Sequence, residues 1–270
     1  SIEERHIPPV MTIDGPAGVR IDRRCEVNCT AWPVATALAC TWNLELMEQI
    51  GRAGALEAKE NNLQIWLTPA LNIHRSPLCG RNFEYFSEDP FVSGKMAAAS
   101  IRGIESQGIA ATAKHLACNN KETNRKSSDS IVSERAIREI YLKGFEICVK
   151  EAQPQLVMSS YNLLNGIYTS ANQELLEGIL RREWGFKGMV VSDWTNKADH
   201  VEEIKAGNDV RMPKGDAQYL LDAVAEGRLT REELAVCVKR LMKLILWIGE
   251  EDGLDKQGVA DTDDFDPWAV

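Results

Sequence analysis

The sequence predicts an α/β fold built on a parallel sheet, and three observations lead to that prediction. Short apolar runs alternate with longer helical stretches along the chain, which is the order of βα units with parallel strands. Each short run leads directly into a polar or glycine- and proline-containing loop, as buried parallel strands do. The length of 270 residues suits either a barrel or a doubly wound sheet. The glycine-rich loops GxGxxG and GxxxxGK(S/T) are absent, which removes the main support for a nucleotide-binding sheet.

The individual elements follow from apolar runs and their boundaries. Five strands are predicted, at Val10–Ile13, Gln64–Thr68, Ile109–Ala113, Leu156–Ser159 and Gly188–Ser192. Four helices are predicted between and after them, at Pro33–Glu60, Phe91–Ser106, Ser133–Lys150 and Asn172–Glu183. Asp89-Pro90 forms a turn that leads into the second of these helices, and Ser133 is a plausible cap of the third. The strands and helices therefore alternate through the first two thirds of the chain.

Composition and charge exclude several classes of function. The chain has 31 Lys and Arg against 40 Asp and Glu, a net charge of −9, which provides no basic surface for nucleic acid or an anionic membrane. No apolar run approaches the roughly 20 residues that cross a bilayer. The seven cysteines contain no CxxC pair, and the chain has only four histidines, so no metal site is expected. We therefore expect neither a nucleic-acid nor a membrane partner.

Chemically distinctive side chains follow each predicted strand. Asp14 follows the first strand, the segment from His74 to Arg81 the second, Lys114-His115 the third, Tyr161-Asn162 the fourth and Asp193-Trp194 the fifth. A single Asp or Asn in such a place is more often a helix cap or a turn residue. In a parallel barrel, however, the active site is assembled at the carboxyl ends of different strands. Because such side chains follow all five predicted strands, the pattern favours an active site.

Four sequence motifs in these loops resemble those of glycoside hydrolase family 3. They are Asp14–Arg20, Cys79–Pro90, Lys114-His115 and Val190–Trp194. The resemblance runs from about Glu3 to Pro213, with all motifs in the order of the family. It implies a (β/α)8-like, TIM-type barrel, possibly with a reduced number of strands. It also implies a retaining, exo-acting β-glycosidase without a cofactor, most often a β-glucosidase that removes terminal non-reducing β-D-glucosyl residues.

The resemblance assigns the chemistry to Asp193. A retaining glycosidase needs one carboxylate to attack the anomeric carbon and a second carboxyl group to protonate the leaving oxygen. Asp193 matches the nucleophile in the Ser-Asp-Trp motif of the family. Trp194 offers an apolar face for stacking against a sugar ring, and Tyr161 resembles the family tyrosine that contacts the nucleophile.

The same resemblance assigns the binding of the sugar. Asp14, Arg81, Lys114 and His115 match the ligands of the hydroxyl groups in the −1 subsite, where charged partners make strong hydrogen bonds. An ion pair between Lys114 and Asp14 is the alternative interpretation of these two residues, and both can hold together. We interpret Glu84 as a supporting partner of Arg81 or Lys114. His74 is expected to orient the loop that carries Arg81.

The general acid/base is missing from the matched motifs. In this family it usually lies on a second α/β-sandwich domain. We expect residues 1–215 to form the barrel domain, 216–250 to form helices that pack on it, with Gly227–Thr230 as their turn, and 251–270 to be an acidic linker or tail. The acid would therefore come from a sandwich domain of the same longer protein or from a partner chain. The residues of these motifs are most similar to those of bacterial members in which the sandwich domain comes first. We therefore favour a bacterial, cytoplasmic protein whose acid/base lies upstream of Ser1.

Three alternatives are open. A noncatalytic sugar-binding module need not keep a nucleophile, whereas Asp193 is present. A β-xylosidase of the same family would share these motifs. A phosphate-binding barrel such as an aldolase would need a glycine-rich phosphate loop and a Schiff-base lysine, for which only Lys114 is suitably placed. The loop after Lys114-His115 contains no histidine, which disfavours the family members that cleave N-acetylglucosaminides.

Overall fold

The computed structural model describes residues 7–21 and 27–251. In this part of the chain the strands are β1 (Thr12–Ile13), β2 (Ile65–Trp66), β3 (Ala110–Leu116), β4 (Asp129–Ser130), β5 (Leu156–Ser159), β6 (Leu163–Leu164), β7 (Ile167–Tyr168) and β8 (Met189–Ser192). The α-helices are α1 (Ala35–Ala39), α2 (Leu44–Glu60), α3 (Pro90–Glu105), α4 (Glu134–Ala136), α5 (Lys143–Ala152), α6 (His200–Ala206), α7 (Ala217–Ala225) and α8 (Arg231–Glu251). Two π-helical segments lie at Ile137–Tyr141 and Glu174–Glu183.

The main sheet contains all five predicted strands. Its order is β1-β2-β3-β5-β8, and every neighbouring pair is parallel. The order never reverses direction among the described strands, whereas a doubly wound sheet needs such a reversal. The result is a parallel half-barrel sheet, so the predicted α/β, (β/α)8-like architecture with a reduced number of strands is confirmed.

Side chains of successive strand residues enter two different clusters. Val157 in β5 packs into the larger cluster, which includes residues of α2, α3 and α5. Its neighbours Leu156 and Met158 join a second cluster with Leu244 and Ile248 of α8. This alternation is expected of a strand whose two faces are both covered. The C-terminal helix α8 thus covers one face of the sheet, and α2, α3 and α5 cover the other.

Three of the predicted helices differ from the observed ones. The predicted helix Pro33–Glu60 is two helices, because Asn43 starts α2 by accepting a hydrogen bond from the Leu46 amide at 3.0 Å. A π-helical segment separates α4 from α5 within the predicted Ser133–Lys150. The helix expected over Asn172–Glu183 is π-helical from Glu174 onward. The spacing of apolar residues in the sequence does not reveal the extra residue that a π-helix has in each turn.

The predicted caps and the C-terminal helices can be located directly. Asp89 caps α3 and Pro90 occupies its first turn, while the Ser133 hydroxyl accepts from the Ala136 amide at 3.4 Å. Helix α7 lies within the predicted 216–250, and α8 extends one residue beyond that range, to Glu251. The proposed acidic tail 251–270 lies, apart from its first residue, outside the described residues.

A smaller sheet was not predicted. Strands β4 and β6 pair in parallel, and β6 pairs with β7 in antiparallel orientation. Each of these strands has two residues, which is too short for an alternating pattern to be visible. This sheet joins β4, which lies in the long segment between β3 and β5, to the two strands that follow β5.

Candidate active site

A cavity of about 850 Å³ opens at the carboxyl ends of the main-sheet strands. It brings together side chains that are widely separated in the sequence. All seven predicted catalytic and substrate-binding residues line it, namely Asp14, Arg81, Lys114, His115, Tyr161, Asp193 and Trp194, and so does Glu84. His74 does not line the cavity. The geometry at the strand ends is therefore that of a barrel active site.

Asp193 immediately follows β8 and is 6% exposed. Its Oδ1 accepts a hydrogen bond from the Trp194 amide at 2.7 Å. Its Oδ2 lies 3.7 Å from His115 Nε2 and has no hydrogen bond of ordinary geometry within the described part of the chain. Burial raises the pKa of this carboxyl group, against the lowering effects of the Trp194 amide, Arg81 and the Tyr161 hydroxyl. One carboxylate oxygen is thus held by a backbone amide, and the other has no hydrogen bond of ordinary geometry to the described residues.

Tyr161 lies next to Asp193 and is 5% exposed. Burial, and then the charge of Asp193, raise the pKa of the Tyr161 phenol, so the hydroxyl keeps its proton and acts as a donor. The Arg125 guanidinium lies 4.5 Å from the centre of the Tyr161 ring, and Lys126 Nζ lies 5.1 Å from it. Both are cation–π distances.

Lys114 and Asp14 form an ion pair across the cavity. Lys114 Nζ donates to Asp14 Oδ1 at 2.7 Å, and Arg20 donates to Asp14 Oδ2 at 2.7 Å. The pKa of Asp14 is lowered, because the charge and hydrogen bond of Lys114 outweigh the effect of burial. The ion pair considered as an alternative for these residues is therefore present. It also places a carboxylate and an ammonium group side by side, which is a suitable arrangement for adjacent sugar hydroxyls.

Arg81 connects two buried partners. Its Nε donates to Glu84 Oε1, and its NH2 group contacts His115 Nε2 at 2.9 Å. Arginine can only donate, so Nε2 of His115 is the acceptor and the histidine proton lies on Nδ1. Burial and the charges of Arg81, Lys114 and Arg125 hold the pKa of His115 well below its usual range. His115 is therefore neutral, and the predicted contact between Glu84 and Arg81 is present.

His74 supports the turn that follows Arg81. Its Nε2 lies 2.9 Å from the Asn82 carbonyl oxygen and 3.0 Å from the Tyr85 carbonyl oxygen. A ring N–H shared between these carbonyls fixes the short helical turn Asn82–Glu84. This geometry matches the role expected for His74.

The loop that carries Asp14 depends on two glycines. Gly15 and Gly18 have φ of 127° and 129°, a region that side chains rarely adopt. A Cβ atom on Gly15 would lie 1.9 Å from the Gly18 carbonyl oxygen. Trp66 at the end of β2 donates through Nε1 to the Gly15 carbonyl oxygen at 3.1 Å, which ties this loop to the neighbouring strand.

The cavity residues that were not predicted as site residues include Phe83, Glu122 and Arg125. Arg125 donates to Glu122 Oε2 at 2.9 Å and covers the face of Tyr161. Both charged residues belong to the long loop after β3, eight and eleven residues beyond Lys114. These two residues do not follow a predicted strand directly, and a loop that returns to the cavity carries no periodic signal.

The described residues contain no group of three or more His, Cys, Asp or Glu side chains that could hold a metal ion. None of the helices in residues 7–21 and 27–251 is long and apolar enough to cross a membrane.

Comparison with known proteins identifies the family. The family described as "Glycosyl hydrolase family 3 N terminal domain" matches residues 2–244. Beta-glucosidase A of Butyrivibrio fibrisolvens is 56% identical over 87% of this chain and 28% of that protein, and thermostable beta-glucosidase B of Acetivibrio thermocellus is 45% identical over 90% and 34%. Beta-glucosidase 3B of Thermotoga neapolitana, solved in complex with α-D-glucose, superposes with a TM-score of 0.88 at 45% identity, over 95% of this chain and 38% of that one. The chain thus spans about a third of the length of these relatives. With its fold, its cavity and these matches, the chain belongs to glycosyl hydrolase family 3.

Proposed function

We propose that this chain is the nucleophile-bearing barrel of a retaining, exo-acting β-glucosidase. The observation that supports this most directly is the Asp193 carboxylate, which is buried at the end of β8 with Oδ1 held by a backbone amide and Oδ2 without an ordinary hydrogen bond. A nucleophile needs this combination of fixed orientation and one unshared oxygen. Charged groups that can hold hydroxyls surround it.

The reaction proceeds in two steps. Asp193 attacks the anomeric carbon, the bond to the leaving oxygen breaks, and that oxygen takes a proton from a general acid. The deprotonated acid then acts as a base for water, which displaces Asp193 and restores the original configuration. Asp14, Arg81, Lys114 and His115 hold the hydroxyl groups of the glucosyl ring, and Trp194 stacks against its face. No cofactor takes part.

The general acid/base is proposed to come from an α/β-sandwich domain, either in the same longer protein or in a partner chain. Both glutamates of the cavity that the structure describes are paired with arginines, Glu84 with Arg81 and Glu122 with Arg125. Each of these carboxylates is thus already engaged as the hydrogen-bond acceptor of a guanidinium. We place the sandwich domain before the barrel, on the similarity of the motifs to bacterial members with that order.

The proposal is tested by covalent trapping. A 2-deoxy-2-fluoro-β-glucoside with a dinitrophenol leaving group slows both steps but keeps the first one feasible, so the glycosyl-enzyme accumulates. Mass spectrometry of the complete protein should place the sugar on Asp193. Asp193→Ala should remain unlabelled and inactive with an unchanged fold, while Asp89→Ala, which alters an exposed helix cap, should be labelled normally. A label on another residue would show that the nucleophile is misassigned, and no label at all would favour a noncatalytic sugar-binding module.

The preferred sugar needs a separate comparison. An exo-α-(1→6)-L-arabinopyranosidase of Bifidobacterium breve is 39% identical over 90% of this chain and 34% of that protein. Measuring kcat/KM for 4-nitrophenyl β-glucoside, β-xyloside and α-L-arabinopyranoside distinguishes these possibilities. We expect the glucoside to be cleaved with the highest kcat/KM, and a higher value for either other sugar would correct the assignment of substrate.

A further inference from the structure

Lys126 lies in the loop after β3, outside the residues that line the cavity. Its Nζ donates to the Thr195 carbonyl oxygen at 3.2 Å and also to Thr195 Oγ1. The same ammonium group lies 5.1 Å from the centre of the Tyr161 ring. An ammonium group has three N–H donors, and these contacts provide a partner on each side of it. Lys126 therefore joins the long loop to two residues near Asp193.

The first connection runs through the turn after the nucleophile. Thr195 has φ of 54°, a left-handed conformation that is costly for a β-branched residue and needs support from its surroundings. Its amide donates to the Met212 carbonyl oxygen at 2.9 Å, and its hydroxyl donates to the Trp194 carbonyl oxygen at 2.6 Å. Lys126 adds hydrogen bonds to the carbonyl and hydroxyl oxygens of Thr195. The next residue back, Trp194, is the one whose amide fixes Asp193 Oδ1.

The second connection runs through Tyr161. The phenol ring lies within cation–π distance of Arg125 and Lys126, and Tyr161 and Asp193 line the same cavity. Lys126 therefore contacts both the turn whose amide fixes Asp193 Oδ1 and the aromatic ring beside the carboxylate.

We propose that Lys126 is a positioning residue that fixes the Asp193 carboxylate for attack, without contacting the sugar itself. The inference rests on the proposed function of Asp193. A small misplacement of a reacting group can cost a large factor in rate. The Lys126 ammonium group contacts Thr195 and Tyr161, and none of the proposed ligands Asp14, Arg81, Lys114 and His115. Loss of the Lys126 contacts should therefore slow the attack and leave the binding of the glucosyl ring nearly unchanged.

The chain offers a matched control for this lysine. Lys121 is an exposed lysine of the same loop with no hydrogen bond or ion pair to the described residues. We compare Lys126→Met, Lys126→Arg and Lys121→Met in the complete protein. The measurements are the inactivation rate by the fluoro-glucoside, kcat for 4-nitrophenyl β-glucoside, the inhibition constant of glucose and the thermal unfolding midpoint.

Lys126→Met should lower the inactivation rate and kcat by about tenfold or more, the size expected for lost hydrogen bonds to a charged group. The inhibition constant of glucose should change by less than about twofold. Lys126→Arg should recover part of the rate because a guanidinium can donate to Thr195 and stack on Tyr161. Lys121→Met should behave like the unmodified protein in every measurement.

Three results would overturn the inference: a Lys126→Met rate within twofold of the unmodified protein, an equal loss in Lys121→Met, or an equal factor of loss in glucose binding. Thr195→Val removes the hydroxyl contact from the other side and keeps the carbonyl one. It should slow inactivation, and combining it with Lys126→Met should add much less than the product of the two effects. Unmodified protein that is not labelled on Asp193 would instead refute the proposed function, so the two failures are distinguishable.

Discussion

At the scale of single residues, the ionisation of Asp193 results from opposing influences. Burial favours the protonated carboxyl, whereas the Trp194 amide, Arg81 and the Tyr161 hydroxyl favour the carboxylate. Burial is the larger effect, so the pKa of Asp193 lies above the usual value for aspartate. The proposed nucleophile must be ionised, so we expect activity to be lost as the pH falls through this raised pKa.

Removing the Tyr161 hydroxyl should move this loss of activity to higher pH. Tyr161→Phe keeps the aromatic ring next to Arg125 and Lys126. It deletes the hydroxyl group, which lowers the pKa of Asp193. The acidic limb of the kcat/KM profile should shift upward, and kcat should decrease at every pH. Tyr219→Phe serves as the control, since the Tyr219 hydroxyl bonds to Asp199 away from the cavity. An acidic limb that stays in place or moves to lower pH would contradict the role of Tyr161.

The residues of the cavity could be predicted to the extent that they follow strands. Asp14, Lys114 and Asp193 come directly after apolar runs, and the direction of parallel strands places them at one edge. Arg125 reaches the same cavity from the middle of a loop, and no pattern of apolar residues encodes that return. The pairing of Arg81 with His115 Nε2 depends on side-chain geometry, which is established only after folding.

At the scale of elements, boundaries were predicted well where a chemical cap marks them. Asp89-Pro90 marks the start of α3, and β5 has the predicted bounds Leu156–Ser159. The break before α2 was missed although Asn43 is a good cap, because apolar residues continue on both sides of it. The smaller sheet was missed because its strands have two residues each.

The packing of α2 on α3 depends on facing glycines. A Cβ atom on Gly103 would lie 2.1 Å from the Glu48 carbonyl oxygen, and one on Gly51 would lie 2.5 Å from the Ser100 carbonyl oxygen. Gly103→Ala should therefore destabilise the protein by about 1–3 kcal/mol, although alanine is the better helix former. Gly178→Ala is the control, because its Cβ would meet only the Glu174 side chain. Urea unfolding measures the free energy of unfolding of both variants. Equal values would contradict the close approach of α2 and α3.

Glu105 at the end of α3 joins two strands at the other end of the sheet. Its Oε1 accepts from the Ala111 amide at 3.2 Å and from the Gln155 amide at 2.8 Å. Burial raises the pKa of Glu105 to about 8, against the lowering effect of these amides. The folded protein therefore holds this proton more tightly than the unfolded chain does. Stability from this group is complete below the unfolded pKa and decreases as the pH rises toward about 8.

Glu105→Gln should remove that dependence on pH. The amide oxygen of glutamine can accept the same two hydrogen bonds but does not ionise. The free energy of unfolding of the unmodified protein should fall between pH 5 and about 8, relative to that of Glu105→Gln. Glu60→Gln changes an exposed residue at the end of α2. This variant should leave the dependence of stability on pH unchanged. Parallel curves for Glu105→Gln and the unmodified protein would show that the carboxyl is ionised throughout.

At the scale of the whole molecule, the cavity of the described barrel holds the proposed nucleophile Asp193 and the charged residues proposed to bind sugar hydroxyls, and its two glutamates are both paired with arginines. The relatives are about three times as long as this chain. Both facts agree with a catalytic unit that is completed by residues from elsewhere.

Residues 1–270 on their own should therefore be a poor catalyst. General acid catalysis contributes about 10²–10⁴-fold, and an alkyl or glucosyl leaving group depends on it. A dinitrophenyl glucoside needs little protonation, so residual activity should appear there first, and azide should speed the second step. Adding the proposed sandwich domain should restore cleavage of cellobiose. If the isolated chain cleaves cellobiose at the rate of the complete protein, an acid lies within it, and Glu84→Gln and Glu122→Gln become the variants to measure.

The ion pair between Asp14 and Lys114 has a consequence for biosynthesis. Its partners are 100 positions apart in the chain, and Asp14 follows β1, which lies at the edge of the described main sheet and pairs with β2. A growing polypeptide therefore carries Asp14 for a long time before its partner emerges from the ribosome. Asp193 arrives later still, with the fifth strand. A ligand that needs all of these side chains binds only the finished sheet and stabilises it by mass action. Retention on an immobilised glucose analogue should thus separate completely folded chains from partly folded ones.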